Sequence, residues 1–336
     1  MTGDSFTAEV ENARLDHVIH HVLWDILCIE PSDSLLILAE ASTMDVASAF
    51  VRARCASTID MVLAVVPDGP GSLLPLPGDI GDLLLARTVF VAMTYRGFTH
   101  TQIRRKASEI GARGLTMPKA TLDLLFSDAV QADYRAIADA GEKLAGCLNG
   151  TDTLTVRTTL GTDLELDVSG GRWFAERGLC DRPGDFGNLP GGEVSISPVN
   201  ARGILVIDGS INPLGLLDEP LRISIEEREV VDIQGKRSEE LVSYLDSFGP
   251  GARNVAEIGI GINPRADVTG ITVKDEKALE TAHIGFGNNS NMGGFSRASK
   301  IDVPLHIDGV LHEGVSLFAD GRLLRPSTFF AASGGT

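Results

Sequence analysis

Cysteine is sparse in this sequence and never paired. Cys28, Cys55, Cys147 and Cys180 form no C-x-x-C unit, which excludes a zinc ribbon and argues against a disulfide framework. Long apolar runs are missing too, none approaching the roughly 20 residues of a bilayer-spanning helix. The N-terminus, MTGDSFTAEVENARLD, lacks the basic start and apolar core of a secretory leader, so a cytoplasmic protein without a membrane partner is expected. Basic charge is short: 29 Lys and Arg stand against 46 Asp and Glu, a net charge of −17. A nucleic-acid backbone needs a basic face and is excluded as a partner. No G-x-G-x-x-G follows the first strand, and the GPG at 69–71 has the wrong spacing, so a dinucleotide site is not supported.

What is present is an alternation of apolar strands and amphipathic helices. Leu15, Val18, Ile19, Val22, Leu23 and Ile26 recur at helical spacing. Next come the continuous apolar runs SLLILAE (34–40), MVLAVVP (61–67) and TVFVAM (88–93), with helical segments near 42–51, 78–87 and from HTQIRRK onward. Continuous rather than alternating apolar strands indicate a parallel sheet covered on both faces. A further helix spans 131–149. Beyond it the texture changes to short strands separated by turn residues, with a clear helical pattern only at 238–248. The expected fold is an α/β N-terminal domain over 1–150 with a mostly parallel sheet, then a strand-rich α+β metal-binding domain over 151–336.

The second half carries the residues that suggest chemistry. In IDVPLHID, strand geometry puts His306 and Asp308 on one face and Leu305 and Ile307 on the other. His283 sits in the glycine-punctuated apolar segment AHIGFG, where a buried imidazole needs a partner. Glu193 follows NLPGG, and Glu257 lies inside NVAEIGIGINP. A carboxylate buried in such a segment is costly unless it is ion-paired or bound to a cation. Both readings stay open for each glutamate taken alone; together, five ligand-type residues beside turns and strand ends point to a metal centre. His17 and His21, four apart on the first helix, lack the acidic partner of an H-E-x-x-H site. His312 lies on the ligand face only if strand alternation continues beyond Asp308, and His100 opens a helix.

The ordered strings FGNLPGGEV, AEIGIGINP, DEKALETAHIGFG and LHID resemble the signature of the aminopeptidase T (M29) family of metallopeptidases, as does HTQIRRKASEIGARGLTMP upstream. The likeness runs over about 30–325. It implies two divalent metal ions, zinc, cobalt or manganese, held by Glu193, Glu257, His283, His306 and Asp308, in a homodimer. Where that family places an active-site tyrosine soon after the first histidine, this chain has Ser290 in NNSNMGG. The ferrous 2,5-dihydroxypyridine dioxygenases share the fold and resemble IGIGINPRA and the H-x-D strand. In them a histidine stands where this chain has Glu257, and the acid corresponding to Glu193 is absent. That resemblance implies one Fe(II), for which His283, His306 and Asp308 supply two imidazoles and a carboxylate.

Keeping both glutamates favours the first resemblance: a metal-dependent hydrolase of the aminopeptidase type that cleaves an amide next to a free amine with metal-activated water. Glu257 or Asp308 bridges the metals, and Glu276 or Glu193 moves the proton as the catalytic acid or base. The substrate is a short peptide or other small molecule. The alternative is a mononuclear non-haem Fe(II) ring-cleaving dioxygenase acting on a hydroxylated pyridine-like compound. A third possibility is a scaffold that has kept the fold and lost the chemistry.

Overall fold

Residues 3–69, 74, 76–99, 101–290 and 294–330 are described in the structure, a computed structural model. His100 lies outside them. The apolar runs of the first half become the parallel strands Ser34–Glu40, Asp60–Val66, Val89–Thr94 and Arg113–Pro118. Every residue of Val89–Thr94 is buried, as a strand covered on both faces requires. The helix expected from HTQIRRK spans Gln102–Glu109, and Thr101 caps it by accepting the Arg104 N–H.

The chain forms two compact units, residues 1–134 with 178–191, and residues 135–177 with 192–336. The sequence reading draws one cut near residue 150, whereas packing exchanges two segments across it. Phe186–Asn188 pairs in parallel with Gly114–Thr116 and becomes the fifth strand of the first sheet. Arg135–Leu148, most of the helix Tyr134–Leu148, packs with the second unit. There Gly141 is so close to Ile262 that a Cβ would lie 2.9 Å from its side chain. Neither contact shows in local turns or texture, because both are non-local.

The second unit holds two seven-stranded sheets. One contains Thr153–Arg157, Asp163–Asp167 and Asn200–Ile207. The other runs, strand beside strand, through Gly215–Leu216, Ser210–Ile211, His306–Leu311, Ala282–Gly287, Val255–Gly261, Glu193–Ile196 and Phe174–Glu176. The pairings in both are antiparallel. A parallel sheet followed by strand-rich antiparallel layers is the fold class expected from the sequence. Among the described residues, no helix is long and apolar enough to cross a membrane.

Candidate metal centre

One face of the second sheet collects the ligand-type residues, and register explains why. Directly opposed residues of antiparallel strands point to the same side, as do residues two apart on one strand. Glu257 pairs with Gly285, which pairs with Asp308. Gly259 pairs with His283 and with Ser195, Gly261 with Glu193, and Gly287 with His306. Glu193, Glu257, His283, His306 and Asp308 therefore share a face, with glycines in the positions between them. Ile258, Ile260, Ile284, Phe286 and Ile307 occupy the opposite side and are buried.

The glycines are there for space. A Cβ on Gly259 would lie 2.1 Å from two atoms of the His283 ring, and one on Gly285 would lie 2.9 Å from both Asp308 Oδ1 and Glu257 Cβ. The alternations E-I-G-I-G (257–261) and H-I-G-F-G (283–287) mark a polar face kept clear for side chains reaching in from neighbouring strands.

The five residues fall into two groups. Glu257, His306 and Asp308 offer ligand atoms within 4.8 Å of one another. His306 Nε2 lies 3.1 Å from Glu257 Oε2 and 3.4 Å from Asp308 Oδ1. Two donors ~2.1 Å from a common cation and at right angles to each other lie about 3 Å apart, so this spacing suits one metal ion. The Nδ1–H of His306 donates to the Asn288 carbonyl at 2.8 Å, which turns Nε2 toward the carboxylates. Asp308 Oδ1 is buried without a hydrogen-bond partner, an arrangement that costs energy unless a cation supplies the missing contact. The donor set fits a divalent ion. Its members are one imidazole and two carboxylates, with Glu257 in place of the His283 expected from the second resemblance.

Glu193 and His283 form the second group, with Glu193 Oε2 3.2 Å from His283 Nε2. The sequence reading passed over the residue between the acids here, Lys277. Its ammonium, 1% exposed, lies 2.7 Å from Glu193 Oε2 and 2.8 Å from Glu276 Oε1. Glu276 and Lys277 follow the short helix Thr272–Asp275. That turn is fixed by the fully buried Asp275, which accepts from Ser210 Oγ and from the N–H groups of Thr269 and Gly270. The Lys277 carbonyl is tied to the Asn263 N–H at 2.7 Å. The signal in the sequence was a lysine adjoining two acids in DEK, immediately ahead of a buried strand.

Burial and charge pull these groups in opposite directions. For Glu257, burial favours the neutral acid, but the hydrogen bond and charge of His306 outweigh it and lower the pKa. Asp308 also ends below the ordinary carboxylate range because the His306 charge overcomes burial. Burial works against charge on His306, yet Asp308 and Glu257 lift it well above the usual imidazole value. Glu276 is pushed well above the carboxylate range by burial, with Asp308 and Glu193 adding to the rise against the pull of Lys277. Lys277 resists its burial because Glu193, Glu276 and Glu176 hold its proton, and its pKa rises well above normal.

Two other histidines weighed from the sequence are engaged elsewhere. His21 contacts Asp25 Oδ2 at 2.9 Å and the Ala132 carbonyl at 3.1 Å. His312 lies 3.2 Å from Asp208.

A family model described as NicX, 2,5-dihydroxypyridine 5,6-dioxygenase, matches residues 77–289, more than half of the chain. No curated protein sequence matches. Among solved structures, the chain is similar to the 2,5-dihydroxypyridine dioxygenase from Pseudomonas putida KT2440, with TM-score 0.77 and 19% identity over 94% of this chain and 96% of that one. It is also similar to wild-type AmpT from Thermus thermophilus, with TM-score 0.67 and 15% identity over 94% of this chain and 98% of that one. Both expected relationships are met at the level of the fold, and the family match falls on the dioxygenase side.

Proposed function

Since the chain belongs to the 2,5-dihydroxypyridine 5,6-dioxygenase family, we propose that it is a mononuclear non-haem iron dioxygenase that opens the ring of a hydroxylated pyridine-like substrate. The observation that carries this reading from family to site is the convergence of Glu257, His306 and Asp308 on one point. Imidazole and carboxylate together suit Fe(II). Bound there, the ion supplies the one-electron chemistry that lets dioxygen react with an electron-rich ring.

The chain's own residues do the rest. The Asn288 carbonyl holds the His306 ring so that Nε2 faces the centre. Glu257 and Asp308 present carboxylate oxygens without an intervening side chain, because Gly285 between them has none. Two carboxylates and a neutral imidazole balance the charge of a divalent ion, whereas a two-histidine set leaves it positive. Glu276, whose pKa burial raises well above the ordinary carboxylate range against the pull of Lys277, is the group that would pass a proton to the ring-opened product. The bond between the ring's 5- and 6-carbons breaks and each carbon takes one atom of dioxygen. The ring supplies the electrons, so no external reductant is consumed.

The test is an oxygen electrode. Protein loaded anaerobically with Fe(II) and then given 2,5-dihydroxypyridine should consume one dioxygen per ring opened, and should do nothing without oxygen. Release of an amino acid from an amino-acid amide under anaerobic conditions by protein loaded with zinc, cobalt or manganese, with no oxygen uptake on the pyridine, would overturn the reading in favour of the hydrolase.

A further inference from the structure

Ser290 stands where the first resemblance places an active-site tyrosine, and the structure gives its hydroxyl a partner within the chain. Residues 288–290 follow the strand Ala282–Gly287, whose last residue pairs with His306. Just beyond that pair the Asn288 N–H donates to the Leu305 carbonyl at 2.7 Å, while the Asn288 carbonyl accepts the Nδ1–H of His306 at 2.8 Å. A carbonyl so placed decides which ring nitrogen carries the proton and which one faces Glu257 and Asp308. Whatever holds that carbonyl therefore takes part in building the centre.

The Asn288 side chain holds it from both ends. Its Nδ2 donates to Asp302 Oδ1 at 2.8 Å and to the Val303 carbonyl at 3.0 Å, bridging to the chain that leads into His306. Its Oδ1 accepts the Ser290 backbone N–H at 2.9 Å and the Ser290 hydroxyl at 2.8 Å. An asparagine oxygen that bonds the N–H two residues on closes a turn and restricts the backbone between them. The Asn288 carbonyl lies inside that turn. The Asn289 N–H, in the same peptide group, is tied to the Ile301 carbonyl at 3.1 Å, so the group is held at its oxygen and at its nitrogen. Only a short side chain can place a hydroxyl back on Asn288 Oδ1; the hydroxyl of a tyrosine lies a ring's length away.

We propose that Asn288 and Ser290 are positioning residues for the metal centre: their side chains keep the Asn288 carbonyl on His306 Nδ1 and thereby keep His306 Nε2 turned toward the ion. The inference rests on the reading of Glu257, His306 and Asp308 as a metal centre and deepens it. It also gives the exchange of tyrosine for Ser290 a use, since this segment serves a ligand of the ion through hydrogen bonds within the loop.

Cobalt(II), whose visible absorption reports the geometry of its ligands, is the probe, titrated into the whole metal-free protein. Wild type should bind it with an affinity that His306→Ala loses. Asn288→Ala should bind it about 10–100-fold more weakly, the usual cost of removing a group that orients a metal ligand, and at saturation its absorption band should differ from that of wild type. Ser290→Ala should weaken binding a few-fold, about the worth of one hydrogen bond, and Ser290→Thr, which keeps a hydroxyl, should restore it. Side chains that only stabilised the loop would lower the melting temperature and leave the affinity and the spectrum of the folded protein as they are. That result in Asn288→Ala, or in Ser290→Ala should Asn288→Ala not fold, overturns the proposal. Undiminished Co(II) binding by His306→Ala would overturn it together with the centre, and the oxygen electrode judges the dioxygenase reading separately.

Discussion

Two buried charge clusters in this protein look alike in composition and differ in completeness. In the first unit, Glu40 ends the strand Ser34–Glu40 and is 1% exposed. One of its oxygens accepts from Arg96 Nε at 2.6 Å, and the other accepts from the Arg96 backbone N–H at 2.6 Å. Arg96 Nη2 in turn donates to the Pro67 carbonyl at 2.9 Å. Both carboxylate oxygens have donors, which is the condition for a buried ion pair to hold structure and nothing more. In the second unit, Glu257, His306 and Asp308 gather two acids around one imidazole, and the buried Asp308 Oδ1 has only the His306 ring, at 3.4 Å, beside it. A buried cluster that is one contact short of satisfied is prepared for something it does not itself contain, and the chemistry of its donors says that this is a cation.

Breaking each cluster should have different consequences. The largest effect is expected from Asp308→Ala, which removes a ligand. Ring opening should fall by at least about 10⁴-fold, ~5 kcal/mol of barrier, with bound iron lost in metal analysis and the fold intact by circular dichroism. Arg96→Met strands the Glu40 carboxylate and should cost ~3–5 kcal/mol of stability, read as a lower denaturation midpoint, with the metal content per folded chain unchanged. A loss of iron in Arg96→Met or a loss of fold in Asp308→Ala would erase the distinction between the clusters. Gly259→Ala tests whether the cleared face is needed. A methyl 2.1 Å from the His283 ring forces the ring to move, costing ~1–3 kcal/mol, and calorimetry should show the loss.

The smallest effect concerns acid stability in the first unit. Asp33 is desolvated, which alone raises its pKa, but hydrogen bonds from Arg113, the Glu30 N–H and Thr88, with the Arg113 charge, bring it below 3.8. A carboxyl whose folded pKa is depressed stabilises the protein above its unfolded value, and that contribution disappears as pH falls through the folded one. Asp33→Asn should therefore lower the denaturation midpoint at neutral pH and converge with wild type in strong acid. Parallel curves at every pH would show that the ion pair contributes nothing.

The sequence determined the fold class, the strand and helix order, and the pairing of His306 with Asp308. These follow from periodicities of two and 3.6 residues, which are local properties of the backbone. It also marked Glu257 and Glu193 as carboxylates in apolar settings that need a partner. Which partner each would find was decided only by the tertiary structure. The register Glu257 to Gly285 to Asp308 is set by hydrogen bonds between strands far apart in the chain, and it puts Glu257, not His283, beside His306. The turn fixed by Asp275 delivers Lys277 to Glu193 across 84 residues of chain. Local spacing reveals which face a side chain points to. Only the assembled sheet determines what stands next to it, because lateral neighbours belong to different strands and their order is a long-range choice.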